Sequence, residues 1–275
     1  MNELAQRLAD LEAASAQPES IRYRYLLRGV LRRWSSSGQS VAFVLRGGVL
    51  TQSWVPAELR PTRDLDLLGL FPIDLADTQA RLEEILALTE PDGITLHVET
   101  LVGEVIWQET NFPGLRFRLD AQVFDHPLPL QIDVGFGDPL VPPAQWTAYP
   151  CLIGPAIRVL AASPELLVAW KLDGLVDHGP KRWQAKDLYD LHLLTHHCAL
   201  ERATLTEAIR VAFDTHGNSL DDLRTILYDP AWWQAAASRA KWEKFRNAAR
   251  CEVPADLAGV AASVAAALEA SLTCS

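Results

Sequence analysis

The hydrophobic pattern changes its period part-way along the chain, and few architectures accommodate that change. Before Gly154-Pro155 the apolar residues fall in short runs closed by Gly or Pro: Val41–Leu45, Arg63–Leu70, Thr95–Glu99, Val102–Thr110, Leu115–Phe124 and Leu128–Gly135. Runs of this length and composition are predicted as strands. Helical spacing occupies residues 1–17, 20–35 and Asp74–Leu88 around them, with Pro18 and Ser20 as break and cap. From Ser163-Pro164, an N-cap and first-turn pair, only helical spacing follows. Helices are predicted over 164–177, 183–197, 201–215, 219–227, 231–249 and 255–272. The expected fold is therefore α+β, with a mixed-sheet core over 1–155 and an all-helical domain over 156–275.

Composition narrows the function classes. An apolar fraction of 49% over 275 residues is ample for a buried core and excludes a disordered chain. A net charge of −10 excludes a uniformly basic nucleic-acid binder. No stretch has the length and apolarity of a membrane span, and Glu3 and Asp10 stand where a secretory signal would carry positive charge, so a cytoplasmic protein without a membrane partner is expected. Cys151, Cys198, Cys251 and Cys274 form no C-x-x-C pair and read as reduced thiols. His192, His196, His197 and Cys198 lack a second pair to complete a zinc site. Trp232, Trp233, Trp242 and Phe245 are spaced as a packing face. No acid lies between Glu19 and Glu58, whereas Arg22, Arg24, Arg28, Arg32, Arg33 and Arg46 do. On a helix Tyr25, Arg28 and Arg32 share a side, giving either a ridge for phosphate or a solvated face.

The residues that carry chemistry are concentrated. In Arg60-Pro61-Thr62-Arg63-Asp64-Leu65-Asp66-Leu67 a strand sends Asp64 and Asp66 to one face and Leu65 and Leu67 to the other. Two carboxylates in one small volume either face water at a strand end or share a cation, and magnesium holding water and substrate phosphate suits them. Gly47-Gly48 follows a strand and lets the backbone approach a ligand closely. Asp133 lies among apolar residues in Leu130-Gln131-Ile132-Asp133-Val134, so it needs a cation, hydrogen-bond donors or an arginine such as Arg116 or Arg118. Lys171, one of five lysines, sits on an apolar helix and needs an anion, unless its stem carries it to the surface; Lys181 and Lys186 are near in sequence. Asp187 and Asp190 are three apart, which suits the site or an ion pair with Arg182 or Lys186.

In this order the motifs resemble the nucleotidyltransferase superfamily, with the DNA polymerase beta fold. More narrowly they are similar to the AbiEii/AbiGii-type toxin nucleotidyltransferases, through Gly47-Gly48-Val49-Leu50 with Arg60-x-Thr62-x-Asp64-Leu65-Asp66, through Gln131-Ile132-Asp133-Val134-Gly135-x-Gly137-Asp138, and through Pro164-Glu165-Leu166-Leu167-Val168-Ala169-x-Lys171-Leu172 with Lys186-Asp187-Leu188-x-Asp190-Leu191. The likeness covers about Val41 to Leu194; Gly48 stands where many superfamily members carry serine. It implies transfer from a nucleoside triphosphate with Mg2+ to an RNA acceptor such as tRNA, by the toxin half of a type IV toxin–antitoxin or abortive-infection system whose partner is an antitoxin. It also implies roles: Asp64, Asp66 and Asp133 as metal ligands, with Asp133 helping to activate the acceptor hydroxyl; Gly47, Gly48 and Arg60 as the triphosphate cradle; Lys171 on the β- and γ-phosphates; and Asp187 orienting Lys171 or the nucleotide. Same-fold alternatives are an enzyme acting on a protein or small-molecule hydroxyl, and a non-catalytic nucleotide-binding module.

Overall fold

A computed structural model describes residues 3–108 and 112–272, with side chains left out over 178–182. Thr110, Cys274 and the side chains of Lys181 and Arg182 lie outside the described residues. The chain divides into two compact units, one of Met1–Ser53, Pro61–Asp138 and Gln145–Ala161, the other of Trp54–Arg60, Pro139–Ala144 and Ala162–Ser275.

The first unit holds a seven-stranded mixed sheet. Its strands are β1 (Phe43–Arg46), β2 (Asp64–Gly69), β3 (Ile94–Ile106), β4 (Gly114–Val123), β5 (His126–Phe136), β6 (Gln145–Tyr149) and β7 (Ile157–Ala161), in spatial order β3-β4-β5-β2-β1-β7-β6. β2 runs parallel to β5 and β1 parallel to β7; the other neighbours are antiparallel. Register pairs Leu45 with Leu67, Leu67 with Val134, Leu65 with Ile132 and Ile132 with Phe117. These side chains share one sheet face and are all buried, so the alternation read from the sequence is the alternation of the core.

Several elements differ from expectation. The runs expected from Thr95 and from Val102 meet in one strand, β3, which ends at Ile106 and whose register with β4 shifts between His97 and Val102; the irregularity breaks the period without ending the strand. β6 and β7 were not expected. β6 is a largely exposed strand at the sheet edge, and β7 lies just past Gly154-Pro155, where punctuation suggested the end of the sheet. Residues 156–161 accordingly belong with the sheet, because Leu45 pairs with Ala161.

Helices α1 (Glu3–Ala13), α2 (Pro18–Ser36), α3 (Gly47–Thr51) and α4 (Leu75–Leu86) complete this unit. Pro18 opens α2 instead of breaking the chain before it, as its fixed φ and missing N–H allow in a first turn. Around Tyr25 and Arg28, α2 is neither a ridge for phosphate nor a solvated face: Tyr25, Arg28 and Arg33 are buried, Arg22 is bidentate to Glu12 at 2.9 and 2.8 Å, and Arg28 lies over the Tyr149 ring. Arg33 is the strongest anchor. Its guanidinium donates to Asp92 at 2.7 and 3.1 Å and to the carbonyls of Leu88, Gly29 and Ile94. A Cβ on Gly29 would lie 2.2 Å from Ile94, so glycine lets α2 come this near.

The second unit is helical: α5 (Pro164–Arg182), α6 (Ala185–His197), α7 (Arg202–His216), α8 (Leu220–Tyr228), α9 (Pro230–Gln234), α10 (Ala236–Ala248) and α11 (Leu257–Leu272). The helix expected over 231–249 is two, interrupted at Ala235. Trp183 meets Trp233 edge-on at 5.3 Å, and Tyr189 packs against Trp242 and Phe245, so these aromatics form core. Among the described residues no helix is long and apolar enough to cross a membrane.

Removing the partner of a buried arginine strands its charge. Asp92→Ala is expected to destabilise the protein by about 3–5 kcal/mol in urea unfolding; a loss below about 1 kcal/mol, the scale of an exposed pair, would contradict the anchoring role of Arg33.

Candidate active site

The sheet face opposite the apolar one carries charge in register. Arg116 of β4 pairs with Asp133 of β5, Asp133 with Asp66 of β2, and Asp66 with Arg46 of β1. Paired residues on neighbouring strands share a face about 4.8 Å apart. The result is a row across four strands with two cations outside and two carboxylates inside. Asp64, two residues before Asp66, joins the same face opposite Gln131. Asp64 and Asp66 are half-buried, whereas Asp133 is only 8% exposed.

Each of these acids has its own surroundings. Arg116 grips Asp133 through Nε at 2.8 Å and Nη2 at 2.7 Å, and Gln131 Nε2 donates to it at 3.4 Å. The hydrogen bonds from Arg116 to Asp133 raise the Arg116 pKa above its ordinary value against partial burial, with the charges of Asp133, Asp64 and Glu104 adding to the effect. Asp66 accepts from the Gly48 N–H at 3.3 Å. Arg46 bonds Asp138 at 2.6 Å, and its guanidinium lies 3.3–3.4 Å from where a Cβ on Gly135 would stand, over the same sheet face.

Gly47 begins α3 directly after β1 with φ +67°, and a Cβ there would lie 2.0 Å from the Asp66 carboxylate. Backbone conformation and contact both require glycine. The glycine turn and Asp66 are thus built as one piece, leaving the backbone of Gly47-Gly48 against the carboxylate with no side chain between.

The donors fit one hard cation. Two partly accessible carboxylates on one face beside backbone amides suit a magnesium ion that keeps water and phosphate oxygens. Among the described residues no three His, Cys, Asp or Glu side chains are grouped to hold a metal. Asp133 lies in register with Asp66 but is engaged by Arg116, the arginine partner that a buried lone acid also permits.

The remaining expected residues lie in the helical unit. Lys171 of α5 pairs with Asp187 at 2.7 Å and Asp190 at 2.8 Å, both on α6. Asp190 is fully buried and also accepts from Arg60 Nε and, at 3.2 Å, from Arg60 Nη2. Arg60, expected to meet triphosphate, is itself buried against this carboxylate, and the Tyr189 hydroxyl ties α6 to the Leu59 carbonyl beside it at 2.9 Å. Burial disfavours the Lys171 ammonium, but Asp187 and Asp190 outweigh it and lift the pKa above the ordinary lysine value. Burial likewise opposes ionisation of Asp190, and Arg60 and Lys171 outweigh it, holding that carboxyl far below its ordinary 3.8. The central place of Asp190 was not read from the sequence, although its spacing from Asp187 was the available signal.

The family model of the nucleotidyl transferase AbiEii toxin, of type IV toxin–antitoxin systems, matches residues 29–270. The chain belongs to the AbiEii nucleotidyl transferase toxin family. In fold this AbiEii-family chain is similar to JHP933 from Helicobacter pylori, with TM-score 0.57 and 18% identity over 93% of this chain and 91% of that one. A second H. pylori structure gives TM-score 0.49 and 18% identity over 93% of this chain and 94% of that one. No curated protein matches the chain.

Asp190 carries a prediction of sign as well as size. Because its folded pKa is depressed, its stabilisation is present above the ordinary carboxylate range and is lost as pH falls through the folded value. Asp190→Asn is expected to cost about 3–5 kcal/mol at pH 7, and the gap from wild type is expected to narrow below about pH 4. Urea unfolding of both proteins at pH 7 and pH 3 measures this; a gap that widens in acid would contradict the assignment.

Proposed function

We propose that this chain transfers a nucleotide from a nucleoside triphosphate to an RNA acceptor such as tRNA, as the cytoplasmic toxin partner of an antitoxin. The observation that supports this best is the half-buried pair Asp64 and Asp66 on one sheet face beside a glycine turn that admits no side chain. A bound Mg2+ supplies Lewis-acid stabilisation of charge on the phosphate oxygens. The chain's own residues do the rest. Asp64 and Asp66 hold the ion, and the open backbone of Gly47 and Gly48 receives the triphosphate. Lys171 meets the β- and γ-phosphates, and Asp187, 2.7 Å from it, orients it. Arg60 acts at one remove, by fixing Asp190 against Lys171.

In the reaction the acceptor oxygen forms a bond to the α-phosphorus while the bond from that phosphorus to the bridging oxygen breaks. Pyrophosphate leaves, and the hydroxyl proton passes to solvent. An in-line displacement of this kind needs positioning and electrostatic stabilisation more than covalent participation by the protein. The overall negative charge limits indiscriminate binding of nucleic acid.

Incubation with Mg2+, total tRNA and each of the four labelled triphosphates in turn is expected to label RNA, and chelator is expected to abolish it. Asp66→Ala is expected to lower transfer by about 10²–10³-fold or more, the scale of losing one charge-stabilising group. Transfer that persists in Asp66→Ala would contradict the cation assignment; label on protein and never on RNA would shift the acceptor to a protein hydroxyl; no label on any acceptor would leave a nucleotide-binding module.

A further inference from the structure

The carboxylate face holds more negative charge than one cation ligand set needs. Asp64, Asp66 and Asp133 lie on it, and Asp138 is joined to it through Arg46. Arg46 and Arg116 contribute positive charge to the same face, and the exposed Arg118–Glu104 pair adds none. A second ion would have to displace Arg116 from a bidentate grip at 2.7 and 2.8 Å on a carboxylate 8% exposed.

We infer that Arg116 stands in the place of a second cation, so that this chain works with one protein-held divalent ion and Asp133 is an arginine-bound positioning residue instead of a metal ligand. The inference rests on the reading of Asp64 and Asp66 as cation ligands. Its physical basis is substitution of like for like: a fixed guanidinium supplies the neutralisation that a mobile ion otherwise supplies, and it holds Asp133 in register with Asp66 without electrostatic conflict. Asp133 and Asp66 sit on neighbouring paired positions of parallel strands, where two uncompensated carboxylates repel. On this account Arg116 serves the site by setting how many cations it accepts, and it touches neither nucleotide nor acceptor.

Counting bound Mn2+, used alone as the probe and followed by electron paramagnetic resonance of the free ion, separates the possibilities. Wild type is expected to bind one Mn2+ per chain and Asp66→Asn none. Arg116→Gln, which frees Asp133, is expected to bind two, and Arg116→Lys to return to one. The double variant Arg116→Met with Asp133→Leu removes both charges of the pair and leaves the net charge of the face unchanged; replacing a paired charge by apolar side chains is commonly tolerated by the fold. It is expected to keep one Mn2+ with affinity within about threefold of wild type, since neither deleted group is a ligand. Two ions in wild type, a count that stays at one in folded Arg116→Gln, or a loss of about tenfold or more in the double variant would overturn the role of Arg116 while leaving Asp64 and Asp66 as ligands. Absence of Mn2+ binding in wild type would overturn both readings.

Discussion

The central constraint is repulsion between carboxylates brought together by parallel pairing of β2 with β5. Register sets Asp66 opposite Asp133, and the period of two sets Asp64 on the same face. Everything around them manages that charge. Arg116 grips one acid, Arg46 lies over Gly135 nearby, and the Gly48 amide donates to Asp66. A sheet built for stability alone gains nothing from such an arrangement, because apolar pairs across strands stabilise without any desolvation cost. The opposite face shows what the same strands do when only packing matters: Leu65, Leu67, Ile132 and Phe117 are fully or almost fully buried.

The same principle governs the helical unit at higher stakes. Asp190 is buried among Arg60 and Lys171, so its carboxylate is tolerable only because both cations are fixed around it. Lys171 is thereby held charged despite burial, which matters for a residue proposed to meet phosphate. Arg60 takes part through Asp190, and the 54–60 segment that carries it belongs to this unit although it lies between β1 and β2 in sequence.

Much of this was legible in the residues. The alternation of Asp64-Leu65-Asp66-Leu67 determined both faces of β2, and Gly47-Gly48 marked the turn whose geometry demands glycine. The mixed sheet and helical C-terminal part followed from the change of period, as did the family from the ordered motifs, which fall within the matched residues 29–270. What escaped was set by contacts distant in the chain. β6 and β7 are short, and β7 lies beyond a Gly-Pro that local reasoning takes as a stop. The α2 arginines look like a basic surface until Glu12, Asp92 and Tyr149 are placed against them. Asp133 had two partners open to it on local grounds, and only strand register shows that Arg116 is beside it.

The most direct measurement of the central claim is thermal unfolding of wild type and Asp66→Asn with and without MgCl2 at constant ionic strength. If Asp64 and Asp66 are like charges held together for a cation, Mg2+ raises the Tm of wild type, as any ligand of the folded state does, and leaves Asp66→Asn unmoved. Without divalent ions Asp66→Asn should then melt at or above wild type, because one member of a repelling set is gone. A wild-type Tm indifferent to Mg2+, together with an Asp66→Asn protein that melts well below it, would show that Asp66 is a structural acid and contradict the account.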